Sequence, residues 1–213
     1  GLCGAYNTFV MKKTAARVQD LNKDGIVPKL VIVGRKGQAA LARRLAGLDY
    51  NYTGVFFRMP DSISSTTASQ IGDEVRNLFL SGEVDKVEVV YTKFVTLLKS
   101  ETTLRSVLPL SPTGIEDPED ETFRLTSEEG KLKVVKEKVK PAKAKDIEPD
   151  VIFDQPPETI LNSMLPLYLN SQILSLLFDS QASELSSRMT AMKAATDNAD
   201  DLVKRLTIIF NKK

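Results

Sequence analysis

The sequence predicts an α/β domain that carries a projecting β-hairpin and a long C-terminal coiled-coil helix. Three observations carry that reading. Short β-branched runs alternate with helical patterns over residues 1–110. A charge-dense segment at 111–150 holds two alternating stretches around a turn. A heptad seam runs from Phe178 to Phe210. Strands alternating with helices imply a parallel, Rossmann-like sheet covered on both faces.

The elements follow in order. Asn7 to Asn22 places Val10, Met11, Ala15, Val18 and Leu21 near helical spacing, and Asp24-Gly25 ends it. Lys29 to Val33 (KLVIV) is a continuous apolar run, the pattern of a strand buried on both faces. Gly34 then leads into a basic helix over Lys36 to Ala46. Tyr52 to Phe57 is a second strand. Thr66 to Leu80 is a helix with Ile71, Val75, Leu78 and Phe79 on one face. Lys86 to Tyr91 is a third strand and Thr103 to Leu108 a fourth, both expected in the same parallel sheet.

Residues 111–150 carry eleven acidic and eight basic side chains, too many charges to build a core. Thr122 to Thr126 and Lys131 to Val135 nevertheless alternate apolar and polar residues around Glu128-Glu129-Gly130, which predicts a two-stranded hairpin. Residues 151–213 open with an apolar run, Val151 to Phe153, expected as a final strand. Asp154 is expected to cap a helix opened by Pro156-Pro157. A helix of more than 50 residues would span roughly 80 Å, too long for a small domain. Stepping by four and three from Phe178 reaches Ala182, Leu185, Met189, Met192, Thr196, Ala199, Val203, Leu206 and Phe210. A seam of this length needs a partner helix, and residues 1–150 offer none to match. An amphipathic helix packed on its own domain is the alternative. The chain opens at Gly1 without Met and ends at Lys212-Lys213 within a helical pattern, so it reads as a piece cut at both ends.

Composition excludes several chemistries. The 213 residues contain no histidine and one cysteine, Cys3. The usual general base, the Ser-His and Cys-His dyads and the cysteine clusters of zinc or iron–sulfur sites are therefore absent. Lys and Arg total 29 against 28 Asp and Glu, for a net charge of +1. No global electrostatic case for nucleic acid follows. No run approaches the roughly 18 uninterrupted apolar residues of a membrane span. Cys3, in Gly1-Leu-Cys-Gly-Ala-Tyr-Asn7, could be read as a nucleophile at a helix N-terminus, but a tight buried turn accounts for it without a base. Leu30 to Gly37 sets a G-x-x-G turn between strand and helix, where Arg35 and Lys36 could attend a phosphate. The full dinucleotide and P-loop patterns are missing, and a structural turn is the competing reading. The acidic run Asp117 to Glu121 lacks Ca²⁺-loop spacing. Arg188 and Lys193 flank Met189 and Met192. These four are either ordinary solvated charge and seam, or a cationic, adaptable surface that slides on acidic partners.

The stretch Ala182 to Ala199 (ASELSSRMTAMKAATDNA) resembles the C-terminal helix of the gamma subunit of F-type ATP synthases. Gly1 to Asn7, Val31 to Lys36, Tyr91 to Val95 and Leu165 to Gln172 agree with it. The resemblance implies a central rotor shaft in which an α/β domain stands beside an antiparallel coiled coil of N- and C-terminal helices. It implies no catalytic residue and no cofactor. It implies as partners the alpha and beta subunits of the catalytic head, the epsilon subunit and the membrane c-subunit ring, with no nucleic acid and no direct membrane insertion. By position in the motif, Arg188, Met189, Met192 and Lys193 would meet the acidic lever of the beta subunit. Phe153 and Asp154 would belong to the foot, near the ring and epsilon. The charged insert is similar to that of photosynthetic gamma subunits and lacks the cysteine pair of the green-plastid form. A cyanobacterial or plastid protein on the thylakoid membrane, without thiol gating, is the expectation. Two rival readings remain at this point: a Rossmann-like nucleotide-binding enzyme and a coiled-coil scaffold.

Overall fold

The structure is a computed structural model that describes residues 2–59, 62–109, 121–128, 131–138 and 154–212. Its first unit is built from α1 (Tyr6–Lys23), β1 (Lys29–Val33), α2 (Arg35–Arg44) and β2 (Asn51–Phe57). β1 and β2 pair in parallel, from Lys29 opposite Asn51 to Val33 opposite Phe57. Val18 of α1 and Leu41 and Leu45 of the α2 region are buried against one another, with Ala15, Leu30 and Ile32 packed around them. Gly34 turns the chain from β1 into α2 at φ +109°, a region that side chains rarely adopt. A Cβ on Gly37 would stand 3.3 Å from Ile32 Cγ2, so the second glycine lets the helix sit close to its strand.

α3 (Ser65–Leu80) starts where the Ser64 hydroxyl accepts the Thr67 N–H at 3.4 Å, the side-chain cap its sequence offers. It buries Ala68 and Ile71 against Leu169, Ile173 and Leu176 of α4 (Pro157–Asn211). Gly72 lies on the same face, and a Cβ there would fall 2.1 Å from Asn170 Oδ1. The two helices meet this closely because glycine has no side chain.

The third and fourth strands depart from the sequence expectation. β3 (Val87–Thr96) and β4 (Lys99–Leu108) form an antiparallel hairpin instead of extending the parallel sheet. The reason is the turn between them. Thr96 Oγ1 accepts the N–H groups of Leu98 and Lys99 at 3.3 and 3.0 Å, and this reverses the chain without Gly, Pro or Asn. β3 does not pair with β1. A groove of about 680 Å³ runs between them, walled by side chains such as Val10, Ile32, Val89 and Leu176.

The expected hairpin in the charged segment is present. β5 (Glu121–Glu128) and β6 (Lys131–Lys138) pair in antiparallel register, from Glu121 opposite Lys138 to Glu128 opposite Lys131.

α4 is one helix of 55 residues, roughly 82 Å long at 1.5 Å per residue. Pro166 lies inside it and removes one backbone hydrogen bond. Residues 162–165 beside it are exposed, so water reaches the Asn162 carbonyl. Asp154 does not cap the helix. Pro156 occupies the N-cap position, and no side chain bonds to the first turn there. The proposed strand at 151–153 lies outside the described residues. Along α4 the seat changes character. Leu169, Ile173 and Leu176 hold it by apolar packing. Above them the holds are polar: the Tyr6 hydroxyl donates to the Ser180 carbonyl at 3.0 Å, Ser183 Oγ to the Thr92 carbonyl at 3.2 Å, and Ser186 Oγ to the Leu97 carbonyl. Residues 192–212 are exposed on every side.

α1 is pinned to β3 by charge. Arg17 donates Nε and Nη2 to the two carboxylate oxygens of Glu88 at 2.8 and 2.9 Å, and Lys86 Nζ adds a contact at 2.6 Å. The Arg17 hydrogen bonds, with help from Lys86, hold the Glu88 carboxyl below its ordinary range. A depressed carboxylate pKa stabilises the fold above the ordinary Glu range, and that stabilisation is lost as pH falls through the depressed value. Glu88→Gln should therefore be less stable than the parent at pH 7. The difference should shrink as pH falls below the ordinary Glu range and vanish once the native carboxyl is protonated. Urea unfolding of both proteins across pH measures it, and a difference independent of pH would refute the assignment.

Candidate functional site

Arg188, Met189, Met192 and Lys193 occupy little more than one turn of α4, just above the Ser186 clasp to Leu97. The domain therefore fixes the base of this surface while its upper edge stands free. Met189 and Met192 are each 47% exposed. Arg188 is not a bare cation. Its Nη2 lies 2.5 Å from Glu184 Oε1, one turn below, with both side chains more than a third exposed. Glu184 was not singled out from the sequence, although a carboxylate four residues before an arginine is a legible helix pair. Lys193 is exposed, and among the described residues it makes no ion pair. The result is a half-neutralised, Met-bearing patch whose charges stay in water. Exposed pairs of this kind contribute about 0.2–1 kcal/mol each, so such contacts can be exchanged without trapping either partner.

The seam is also placed. Phe178, Leu185, Met189, Met192, Val203, Leu206 and Phe210 are each at least 47% exposed. They run up the side of α4 away from the α/β domain, over roughly 48 Å. The reading of α4 as a helix packed along its length on its own domain fails, because the seam residues do not meet that domain.

The remaining candidates have structural explanations. Cys3 is 3% exposed and accepts a hydrogen bond from Asn7 Nδ2 at 3.2 Å. It sits in a tight turn, with Leu2 and Gly4 at φ +65° and +54°. Among the described residues its hydrogen-bond partner is the Asn7 amide, which is no base, and the geometry is that of a buried turn. The two glycines of the Gly34–Gly37 turn serve chain reversal and packing, as described above. Among the described residues no group of three or more Cys, Asp or Glu could hold a metal ion. No helix there is long and apolar enough to cross a membrane. Asp154 is exposed ahead of α4. Phe153 and the run Asp117–Asp120 lie outside the described residues.

Comparison with known proteins places this architecture. The family model described as ATP synthase matches residues 1–213. The ATP synthase gamma chain of Cyanothece sp. is 48% identical over 212 residues, covering 100% of this chain and 66% of that protein. The gamma chain of Gloeothece citriformis is 45% identical with the same coverage. The chain thus spans about two thirds of the length of these relatives. In fold it is similar to a chain of the Tetrahymena thermophila mitochondrial ATP synthase central stalk and c-ring, with TM-score 0.58 and 20% identity over 92% of this chain and 71% of that one. It is also similar to a chain of the Euglena gracilis mitochondrial ATP synthase rotor, with TM-score 0.58 and 15% identity over 100% of this chain and 68% of that one. The match along the whole sequence, together with the long helix standing off an α/β domain, shows that the chain belongs to the ATP synthase family, among its gamma chains.

Proposed function

We propose that this chain forms the central-stalk rotor of a proton-driven ATP synthase. It carries torque between the membrane c-subunit ring and the alpha and beta subunits of the catalytic head, and it makes and breaks no bonds itself. The observation that carries the reading is α4: one continuous helix, seated on a domain at its lower half and exposed on all sides from residue 192 to 212. A shaft of this form transmits rotation because different angles present different faces to the surrounding subunits. Each face stabilises a different state of the catalytic sites. The α/β domain and Asp154 form the end turned toward the ring and the epsilon subunit. The protein sits on the thylakoid membrane as a peripheral subunit. Its gamma-chain relatives are cyanobacterial, which supports a photosynthetic source.

On this reading Arg188, Met189, Met192 and Lys193 face the acidic lever of the catalytic subunit. Arg188→Ala should leave assembly intact and lower coupling modestly, since Glu184 already takes part of its charge. Arg188→Glu should do worse, because it places two carboxylates one turn apart and turns a like charge toward the lever. The measurement is protons pumped per ATP hydrolysed in the assembled enzyme. Charge reversal on the facing acidic residue should restore part of the loss in a double-mutant cycle. If Arg188→Glu pumps and hydrolyses like the parent, this patch does not carry the contact.

A further inference from the structure

Charge is distributed very unevenly along the chain. Residues 1–58 hold ten Lys and Arg against three Asp and Glu, while the rest hold nineteen against twenty-five. Within the basic part, Arg17, Lys23 and Lys29 are paired, to Glu88, Asp20 and Glu83. Lys12 and Lys13 of α1 and Arg35, Lys36, Arg43 and Arg44 of α2 are exposed and, among the described residues, make no ion pair. α2 contains no acidic residue at all. Arg35 and Lys36 stand at its N-terminal end, where the helix dipole disfavours cations. Arg43 and Arg44 in the last turn suit the dipole, so helix stability accounts for that end of α2 but not for Arg35 and Lys36.

We infer that the outer face of α2 docks an acidic helix of a partner protein. Leu41 and Leu45 turn inward to the core, which leaves Lys36 and Arg43 on the outward side. They lie seven residues, two turns or about 10 Å, apart along the axis. Carboxylates spaced seven apart on a second helix match that interval. Ala39 and Ala42 between them are exposed and short, so a second backbone can come close enough for both ion pairs to form. A membrane surface would have no use for the short residues, and a helix lying in the lipid interface needs a row of large apolar side chains that α2 does not present outward. Single-stranded nucleic acid would want aromatic stacking platforms, and α2 has none. The inference stands on this charge and shape, independently of the rotor reading.

The experiment uses the chain itself and a labelled 21-residue alanine-rich helical peptide with glutamates seven residues apart. A second peptide has the same composition with the glutamates five apart. The seven-spaced peptide should bind at least about fivefold more tightly at low ionic strength, weaken as salt screens the contact, and shift the backbone NMR signals of α2. Lys36→Glu combined with Arg43→Glu should weaken binding at least about tenfold. Lys99→Glu combined with Lys204→Glu, which changes charge equally elsewhere, should not. The NMR map on the unmodified chain holds even if a variant misfolds. Equal binding of the two peptides, shifts mapping away from α2, or capture by phosphatidylglycerol vesicles in preference to the peptide would overturn the inference.

Discussion

Leu169→Ala is expected to lower the unfolding free energy by about 2–4 kcal/mol, a large part of the about 5–15 kcal/mol that holds an ordinary domain together. Leu169 is 5% exposed and sits where α4 meets α3, in the cluster with Ala68, Ile71, Tyr91, Val107, Ile173 and Leu176. Leu169 itself does not line the groove between β1 and β3, although Ile71, Tyr91, Val107, Ile173 and Leu176 of its cluster do. Apolar burial supplies about 1.5–3 kcal/mol for a leucine of this kind, and the residual cavity adds to the loss. Leu202→Ala makes the same chemical change on the exposed half of the helix, where the side chain is 57% exposed. It should alter stability by no more than about 0.5 kcal/mol. Urea midpoints of the two variants measure the contrast. Similar losses at both positions would mean that the upper half of α4 is packed in solution, contrary to the seat described here.

That contrast also marks what could be read from the sequence. β1 was legible because four apolar residues between Lys29 and Gly34 admit little else, and the structure gives the strand the same limits, Lys29–Val33. The seam was legible because its period of three and four repeats for over four heptads, longer than the domain that could cover it. The β3–β4 hairpin was not legible. Its turn rests on one threonine hydroxyl followed by Leu97 and Leu98, which are exposed and carry no turn signature. A strand pattern with no breaker reads as an ordinary sheet strand, and the parallel sheet was drawn too wide for that reason. The polar clasp of α4 was equally hidden. Ser183 and Ser186 look like surface serines in sequence, and only the approach of the Thr92 and Leu97 carbonyls makes them buried donors. The four side chains of the candidate site lie within six consecutive residues of a helical pattern, and it is the resemblance to gamma subunits, not their spacing, that points to them. The neutralising Glu184 could have been read from spacing, since it stands at i−4 from Arg188.

The largest effect is expected on the seam. Val203→Lys together with Leu206→Glu should leave the chain folded and its unfolding midpoint unchanged, because both residues are more than half exposed and make no core contact. The new pair stands three residues apart on one face, so the isolated helix gains a weak ion pair and loses little. On the proposed rotor reading, the outcome in the assembled enzyme should be different. A helix laid against the seam would bury both positions, and each apolar side chain buried there contributes about 1.5–3 kcal/mol. Replacing both with charges removes that gain and adds the cost of desolvating them against an apolar partner. Since about 1.4 kcal/mol is a tenfold change in an equilibrium, the loss in assembly should exceed about a hundredfold. Copurification of the gamma chain with the catalytic head, and the rotation of the reconstituted particle, are the measurements. Assembly at the parent's level would show that this side of α4 stays in water in the complex and that no partner helix is laid along the seam.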